Sequence, residues 1–353
     1  MVARESGAAA GGVTVGQIGE FGLIDRLCLA LGRSGPSAVI GIGDDAAAWN
    51  QPAAVLVASA DMLVEHVHFD LRLTGWRDLG WKALAVNLSD LAAMGAAPAW
   101  ALVSIGLRPE IAVDDVLAFY EGMAALAAEA GGAIAGGDTV SVPRDVVIDV
   151  SVLGTVPAGE AETLLRRDRG APGDRLAVTG VLGASAAGLY ALQHPGTAPE
   201  RLVAPLVEAH RRPQPQLRAG QALRAAGVRC AMDVSDGLLA DLEKLCIASG
   251  TGAVVRAPDL PLHPAARGAF PAHALDWATG GGEDYQLLFA APAVTMRNAL
   301  ERLARQGIPA REIGQLLPPG QPARLRLVDE RGDDVPVALR GWDHFGNPSH
   351  DGQ

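Results

Sequence analysis

Apolar positions along the chain fall into short runs that alternate with longer, periodically spaced stretches. Glu20 to Gly32 (EFGLIDRLCLALG) carries Phe21, Ile24, Leu27, Cys28 and Leu31 on one stripe, which predicts a helix ended by Gly32. Ala54 to Ser59 reads as a strand running into Asp61. Arg77 to Met94 reads as a long helix closed by Gly95 and Pro98. Trp100 to Leu107 predicts a strand, Val113 to Ala130 a helix ended by Gly131-Gly132, and Ala133 to Ala135 and Val146 to Val152 two more strands. Val156 to Asp174 is rich in glycine, proline and arginine and reads as a domain boundary.

Beyond it, Arg175 to Thr179 predicts a strand and Ala184 to Leu192 a helix. Arg229 to Val234 predicts a strand, after which Ser235 would cap a helix from Gly237 to Ala248. A proline-rich connection (Pro258, Pro261, Pro264), a Gly281-Gly282 turn, a strand from Tyr285 to Ala290 and a helix from Ala293 to Gln306 follow. Strands and helices in this order predict an α/β or α+β architecture. The expected division is a tail at 1–17, a first domain at 18–157, a second at 158–346 and a tail at 347–353.

Composition narrows the choices. The 353 residues are 49% hydrophobic but only 4% aromatic, so the core must be built mainly of Ala, Val and Leu. A net charge of −11 speaks against nucleic acid or an anionic membrane as partner. No apolar run reaches the ~18 residues a membrane span needs. The start has the wrong pattern for a signal peptide. Cys28, Cys230 and Cys246 are far apart and in apolar stretches, which predicts buried free thiols in a reducing compartment rather than disulfides or a zinc site. The expected location is the cytoplasm.

The carboxylates carry the chemistry. Asp44 and Asp45 (GIGDD), Asp61 (VASAD), Asp138 (AGGD), Asp233 and Asp236 (AMDVSDG) and Glu283-Asp284 (GGGED) follow apolar runs or glycine turns. Asp90 lies three residues after Asn87, on the same helix face. Any one such Asp is equally a turn or cap former. As a set they need cations, because a buried carboxylate without a partner is costly. The chain has two lysines, Lys82 and Lys244, both on predicted helices. Hard oxygen donors without a His/Cys cluster point to Mg²⁺. Gly136-Gly137-Asp138 reads as a turn that lets backbone approach a ligand and offers N–H groups to phosphate. There is no P-loop, and the G-x-G-x-x-A match at Gly41 to Ala46 sets two acids where a pyrophosphate would lie. His66 and His68 would share one face if they lie on a strand, and His68 could donate to a substrate phosphate or simply be solvated.

GIGDDAA (41–47), KALAVNLSDLAAMGAAPAW (82–100), GGDT (136–139), DVSDGLLADL (233–242), GGEDY (281–285) and GWDHF (341–345) together resemble the thiamine-monophosphate kinase family. That family falls in the superfamily of aminoimidazole-ribotide and selenophosphate synthetases. The resemblance spans about Gly19 to Phe345. It implies ATP- and Mg²⁺-dependent phosphorylation of thiamine monophosphate to thiamine diphosphate. It also implies two α/β domains, with the N-terminal sheets of two copies joined into a barrel in a homodimer. Carried over by position, Asp45, Ser59, Asp61, Asp90, Asp138, Asp233 and Asp236 would bind several Mg²⁺ ions. Gly137, Asp138, Arg167 and Ser235 would meet ATP, and His68, Glu283 and Trp342 would hold thiamine monophosphate. Trp342 could equally be a C-terminal anchor on the core.

The family shows Ser-Thr-Asp where this chain has Ser59-Ala60-Asp61. Ala60 can replace the Thr as a ligand only through its backbone carbonyl. An already ionised acceptor phosphate needs no general base, so direct in-line transfer without a phosphoenzyme is expected. The rival readings are another ATP-dependent enzyme of the superfamily and a non-catalytic nucleotide sensor. The reactive Cys of selenophosphate synthetases and the C-terminal Cys of hydrogenase-maturation relatives have no counterpart here: Cys28 lies in an apolar helix, and the chain ends DGQ.

Overall fold

The structure is a computed structural model, and it describes residues 38–40, 45–50, 53–320, 325–337 and 341–342. The expected helix at Glu20 to Gly32, Cys28, Asp44, His344 and both tails lie outside the described residues.

Two six-stranded sheets organise the molecule. The first contains β1 (Ala38–Ile40), β2 (Ala47–Asn50), β3 (Ala54–Val64), β4 (Ala97–Leu107), β5 (Ala133–Ser141) and β6 (Val147–Pro157), in the order β1-β2-β3-β6-β4-β5. All its pairs are antiparallel except β4 with β5. The second contains β7 (Arg175–Thr179), β8 (Cys230–Asp233), β9 (Gly252–Arg256), β10 (Leu287–Ala291), β11 (Ala310–Leu317) and β12 (Leu325–Val328), in the order β12-β9-β11-β7-β10-β8. There only β12 with β9 is parallel.

One face of the first sheet is covered by α1 (Trp76–Ala93) and α2 (Val113–Ala130). β6 alternates half-open and buried residues along its length, the period-2 signature of a sheet covered on one side. α1 and α2 cross at contact distance because both carry glycine there. A Cβ on Gly80 would lie 1.8 Å from the Phe119 carbonyl oxygen, and one on Gly122 would lie 1.8 Å from that of Arg77. From Leu79 to Ala93 every residue of α1 is buried save Asp90. A helix apolar all round belongs between two layers, and α1 does sit there. Its Leu79, Leu84 and Leu91 face the first core, each worth about 2 kcal/mol of burial. Its Ala92 and Ala93 join the core around the second sheet.

The second sheet is flanked by α3 (Ala184–Gln193), α4 (Glu200–Arg211), α5 (Leu217–Ala225), α6 (Leu238–Ser249), α7 (Pro264–Ala269), α8 (Ala274–Gly280) and α9 (Ala293–Arg305). Arg211 donates to the Leu73 carbonyl, Arg212 pairs with Asp78 at 2.6 Å, and Trp81 Nε1 donates to the Pro213 carbonyl at 2.9 Å. These contacts lock the segment after α4 onto the start of α1.

Three sequence expectations are corrected. The GGD segment is not a turn, because β5 continues through it to Ser141. His66 and His68 do not share a strand face: β3 ends at Val64, and the chain turns at His66, whose φ is +66°. Ser235 does not cap α6, whose N-terminus has no side-chain cap. The Asp241 carboxylate instead accepts from the N–H groups of Ser235, Asp236 and Gly237 at 2.9 to 3.2 Å.

Candidate active site

The two sheets and α1 enclose a cleft of ≈ 790 Å³. Its walls come from the end of β3 and the turn after it, from Asp90 of α1, and from the loops that follow β8 and α8. Each approaches the cleft at the end of a buried element, which is why polar side chains concentrate there.

At the base, carboxylate oxygens of Asp45, Asp90 and Asp233 all lie within 4.8 Å of one another. Ser59 Oγ donates to Asp90 Oδ2 at 2.5 Å, Asn87 Oδ1 accepts from the Asp61 N–H at 2.9 Å, and Ser89 Oγ donates to Asp233 Oδ2 at 2.6 Å. Arg167 grips Asp45 with two nitrogens, at 2.5 and 3.0 Å.

Like charges at this spacing resist ionisation. Burial first, then Asp61, Asp233 and Asp45, push the Asp90 carboxyl well above the usual range. Burial and then Asp45 do the same to Asp233. Asp61 is pushed up to about 6 by burial and then by Asp236, Asp149 and Asp45. An all-oxygen donor set short of positive charge suits a hard divalent cation such as Mg²⁺. Asp236 stands apart from the three, paired with Lys244, which also holds Asp241 at 2.8 Å. Burial would lower the Lys244 ammonium, but Asp241 and Asp236 outweigh it and raise it.

The same cleft is also lined by His68, Phe69, Arg72, Leu189, Glu283 and Trp342. Val64 N–H donates to His68 Nδ1 at 3.0 Å, which puts the ring hydrogen of the neutral imidazole on Nε2. Trp342 donates its backbone N–H to the Asp236 carbonyl, and its side chain is 53% exposed. Such an indole can stack on a planar ring. Glu283 pairs with Lys82 at 2.7 Å.

The fold thus brings together Asp45, Ser59, Ala60, Asp61, His68, Asp90, Arg167, Asp233, Ser235, Asp236, Glu283 and Trp342, all on one cleft. Gly137 and Asp138 do not line it. They lie on β5, the edge strand of the first sheet, in register with Val103 and Ser104 of β4. Gly137 is required by the sheet itself, since a Cβ there would lie 1.8 Å from the Val103 carbonyl oxygen. Asp138 shares the outward face with Ser104, Leu102 and Trp100, the last two being 44% and 56% exposed. Sequence reasoning passed over Ser89, Ser185, His210 and Asp241. The only signal for Ser89 was its place beside Asp90, and for Asp241 its place in the first turn of a helix behind an Asp-rich loop.

Two family models match: the AIR synthase related protein N-terminal domain over residues 43–156, and its C-terminal domain over 171–323. The thiamine-monophosphate kinase of Salmonella typhimurium is 40% identical over 336 residues, which is 94% of this chain and 99% of that protein. That of Mycobacterium tuberculosis is 37% identical over 361 residues, covering 100% of this chain and 99% of the relative. Among solved structures, AaThiL complexed with AMPPCP and TMP superposes with a TM-score of 0.80 at 30% identity, covering 94% of this chain and 99% of that one. On these similarities the chain belongs to the thiamine-monophosphate kinase family, built on the two-domain fold of the AIR synthase related proteins.

Proposed function

We propose that the protein transfers the γ-phosphoryl group of ATP to the phosphate of thiamine monophosphate, giving thiamine diphosphate and ADP. The observation that carries this reading is a single cleft lined both by a knot of carboxylates and by an imidazole, a further carboxylate and an exposed indole. The solved relative AaThiL, complexed with AMPPCP and TMP, supports the same pairing of ligands.

In this reading Asp45, Asp90 and Asp233 hold Mg²⁺, with Ser59, the Ala60 carbonyl, Asp61, Asp138 and Asp236 completing the ligand set for several ions. Bound Mg²⁺ would supply the charge neutralisation that lets two phosphates approach. Ser59, Asn87 and Ser89 orient the acidic groups beforehand, so the donors are set before substrate arrives. Arg167 and Ser235 meet the nucleotide; Gly137 and Asp138, which lie outside this cleft, would reach nucleotide and metal only from the outward face of the first sheet. His68 donates from Nε2 to the acceptor phosphate, Trp342 stacks on a substrate ring, and Glu283 takes its polar edge. No side chain need act as general base, because the attacking oxygen is already ionised. Transfer is direct and in line, and a covalent phosphoprotein in an acid-quenched reaction would sink that part.

In the proposed division, residues 18–157 are the ATP- and Mg²⁺-binding domain and form the dimer contact, and 158–346 are the second α/β domain, which adds Arg167, Asp233, Ser235 and Asp236 to complete the cleft. A homodimer is supported by the outward face of the first sheet, where Met62 of β3, Trp100 and Leu102 of β4 and Val140 of β5 are 44% to 56% exposed. Apolar side chains grouped on an uncovered sheet face mark an interaction surface. Asp138 lies on that face, so a second copy would close over it. The buried thiols of Cys230 and Cys246 suit a reducing cytoplasm. No helix among the described residues is long and apolar enough to cross a membrane.

The test is ADP release with ATP and Mg²⁺, comparing thiamine monophosphate, thiamine and aminoimidazole-type acceptors, with Asp138→Asn as control. Turnover with thiamine monophosphate alone, lost in the variant, is expected. Turnover with a different acceptor only would transfer the protein to another activity of the superfamily.

A further inference from the structure

Lys82 lies in the middle of α1 at 2% exposure, among the most buried large side chains of the molecule. An ammonium so buried costs several kcal/mol unless it is paired. Its Nζ lies 2.7 Å from Glu283 Oε1. The other carboxylate oxygen, Oε2, lies 3.3 Å from His210 Nδ1 and 3.5 Å from Ser185 Oγ, and Ser185 and His210 are themselves 3.0 Å apart. The Glu283 backbone is held too. Its N–H donates to the Ser235 carbonyl at 2.7 Å, and its φ of +67° is a left-handed conformation that L side chains avoid at a cost of about 1–2 kcal/mol.

Burial would raise the Glu283 carboxyl, but Lys82 and then His210 outweigh it and hold it below its ordinary value. Glu283, His210 and Ser185 line the cleft, while Lys82 stands behind them. A residue in a strained conformation, gripped from α1, α3 and α4 at once, is one whose orientation matters.

We propose that Lys82 is a positioning residue for the acceptor. It holds the Glu283 carboxylate in one orientation toward the cleft, and so selects an acceptor that presents N–H groups or positive charge near its phosphate. The proposal rests on the reading of Glu283 as an acceptor-binding residue. Each carboxylate oxygen has two acceptor directions, so Glu283 can keep Lys82 and His210 and still receive a donor from the cleft. The same helix carries Asp90 eight residues further on, roughly 12 Å along its axis. One rigid element therefore sets the spacing between Asp90 of the carboxylate knot and the Lys82 that holds Glu283.

The experiment is a double-mutant cycle read as separate KM values for thiamine monophosphate and for ATP, with kcat. Lys82→Met is expected to raise the acceptor KM at least tenfold while the ATP KM moves less than about twofold. Glu283→Gln is expected to raise the acceptor KM similarly. Adding Lys82→Met to Glu283→Gln is then expected to change it less than about twofold, because the residue acts only through Glu283.

Should Lys82→Met alone fail to fold, the comparison of Glu283→Gln with the double variant decides, since the double variant removes both members of the buried pair. A further tenfold rise in the double variant would overturn the proposal, as would a Lys82→Met effect confined to kcat or to ATP. An unchanged acceptor KM in Glu283→Gln would instead remove the reading of Glu283 on which the proposal stands.

Discussion

Ser89 on α1 donates its hydroxyl to Asp233 Oδ2 at 2.6 Å, so a helix packed on the first sheet orients a carboxylate at the end of a strand of the second. The two residues are 144 positions apart, and the bond is buried. Removing the hydroxyl takes from Asp233, set among like charges, the side-chain donor that orients it among the described residues. Ser89→Ala is expected to raise the Mg²⁺ concentration for half-maximal turnover about 10- to 100-fold. The melting temperature should move little, since a small buried hydroxyl contributes about 1 kcal/mol. A Mg²⁺ titration of activity, with a thermal melt alongside, checks both.

Asp90 and Asp233, crowded by burial and by neighbouring carboxylates, resist ionisation until a metal cation joins them. In chelator, Asp233→Asn is therefore expected to melt at or above the parent protein. In millimolar Mg²⁺ the order should reverse, because only the parent gains from the ion. Equal Mg²⁺-induced shifts in the two proteins would show that the ion binds elsewhere.

His210 is buried beside Lys82, and burial first and that cation second push its imidazole down to about 4 from an ordinary 6.5. The unfolded chain then binds the proton more readily than the folded one. Its contribution to stability is complete above pH 6.5 and is lost as pH falls toward 4. By linkage the loss at pH 5 is about 2 kcal/mol. Urea unfolding of the parent and of His210→Gln at pH 7.5 and pH 5 should show a smaller acid loss in the variant.

Leu102 sits on the outward face of the first sheet, in register with Gly136 of the edge strand, and is 44% exposed. Leu102→Asp places a charge where a second copy would pack. It is expected to shift the protein to monomer in light scattering while leaving its circular dichroism unchanged. Turnover should fall with the dimer, since Asp138 lies on the same face. A variant that stays dimeric would move the interface to another surface.

Much of this protein was legible in the chain. The period of apolar residues located the helix Val113–Ala130 and the strand Arg175–Thr179, and among the other elements it read, the helices fell within a few residues of their observed ends while β3, β5 and β6 run further than expected. These are local effects: helix and strand patterns and glycine stops act over a few residues. The acidic motifs were legible for a similar reason, since an Asp placed directly after an apolar strand is conspicuous wherever the strand ends up.

What the chain could not disclose were the relationships that folding alone creates. α4, α5, α7, α8, β1, β2, β9, β11 and β12 went unread, because short elements with mixed patterns take their form from packing rather than from propensity. The GGD segment looked like a turn because two glycines usually break a strand. Here Gly137 is demanded by the neighbouring Val103 carbonyl. That Asp241 rather than Ser235 holds the start of α6, that Ser89 fixes Asp233, and that Lys82 reaches Glu283 are contacts across sequence separations of 6, 144 and about 200 residues. The amino-acid sequence determined which groups would do chemistry. The tertiary structure decided which of them meet, because only the docking of two sheets on one buried helix brings their charges within reach of each other.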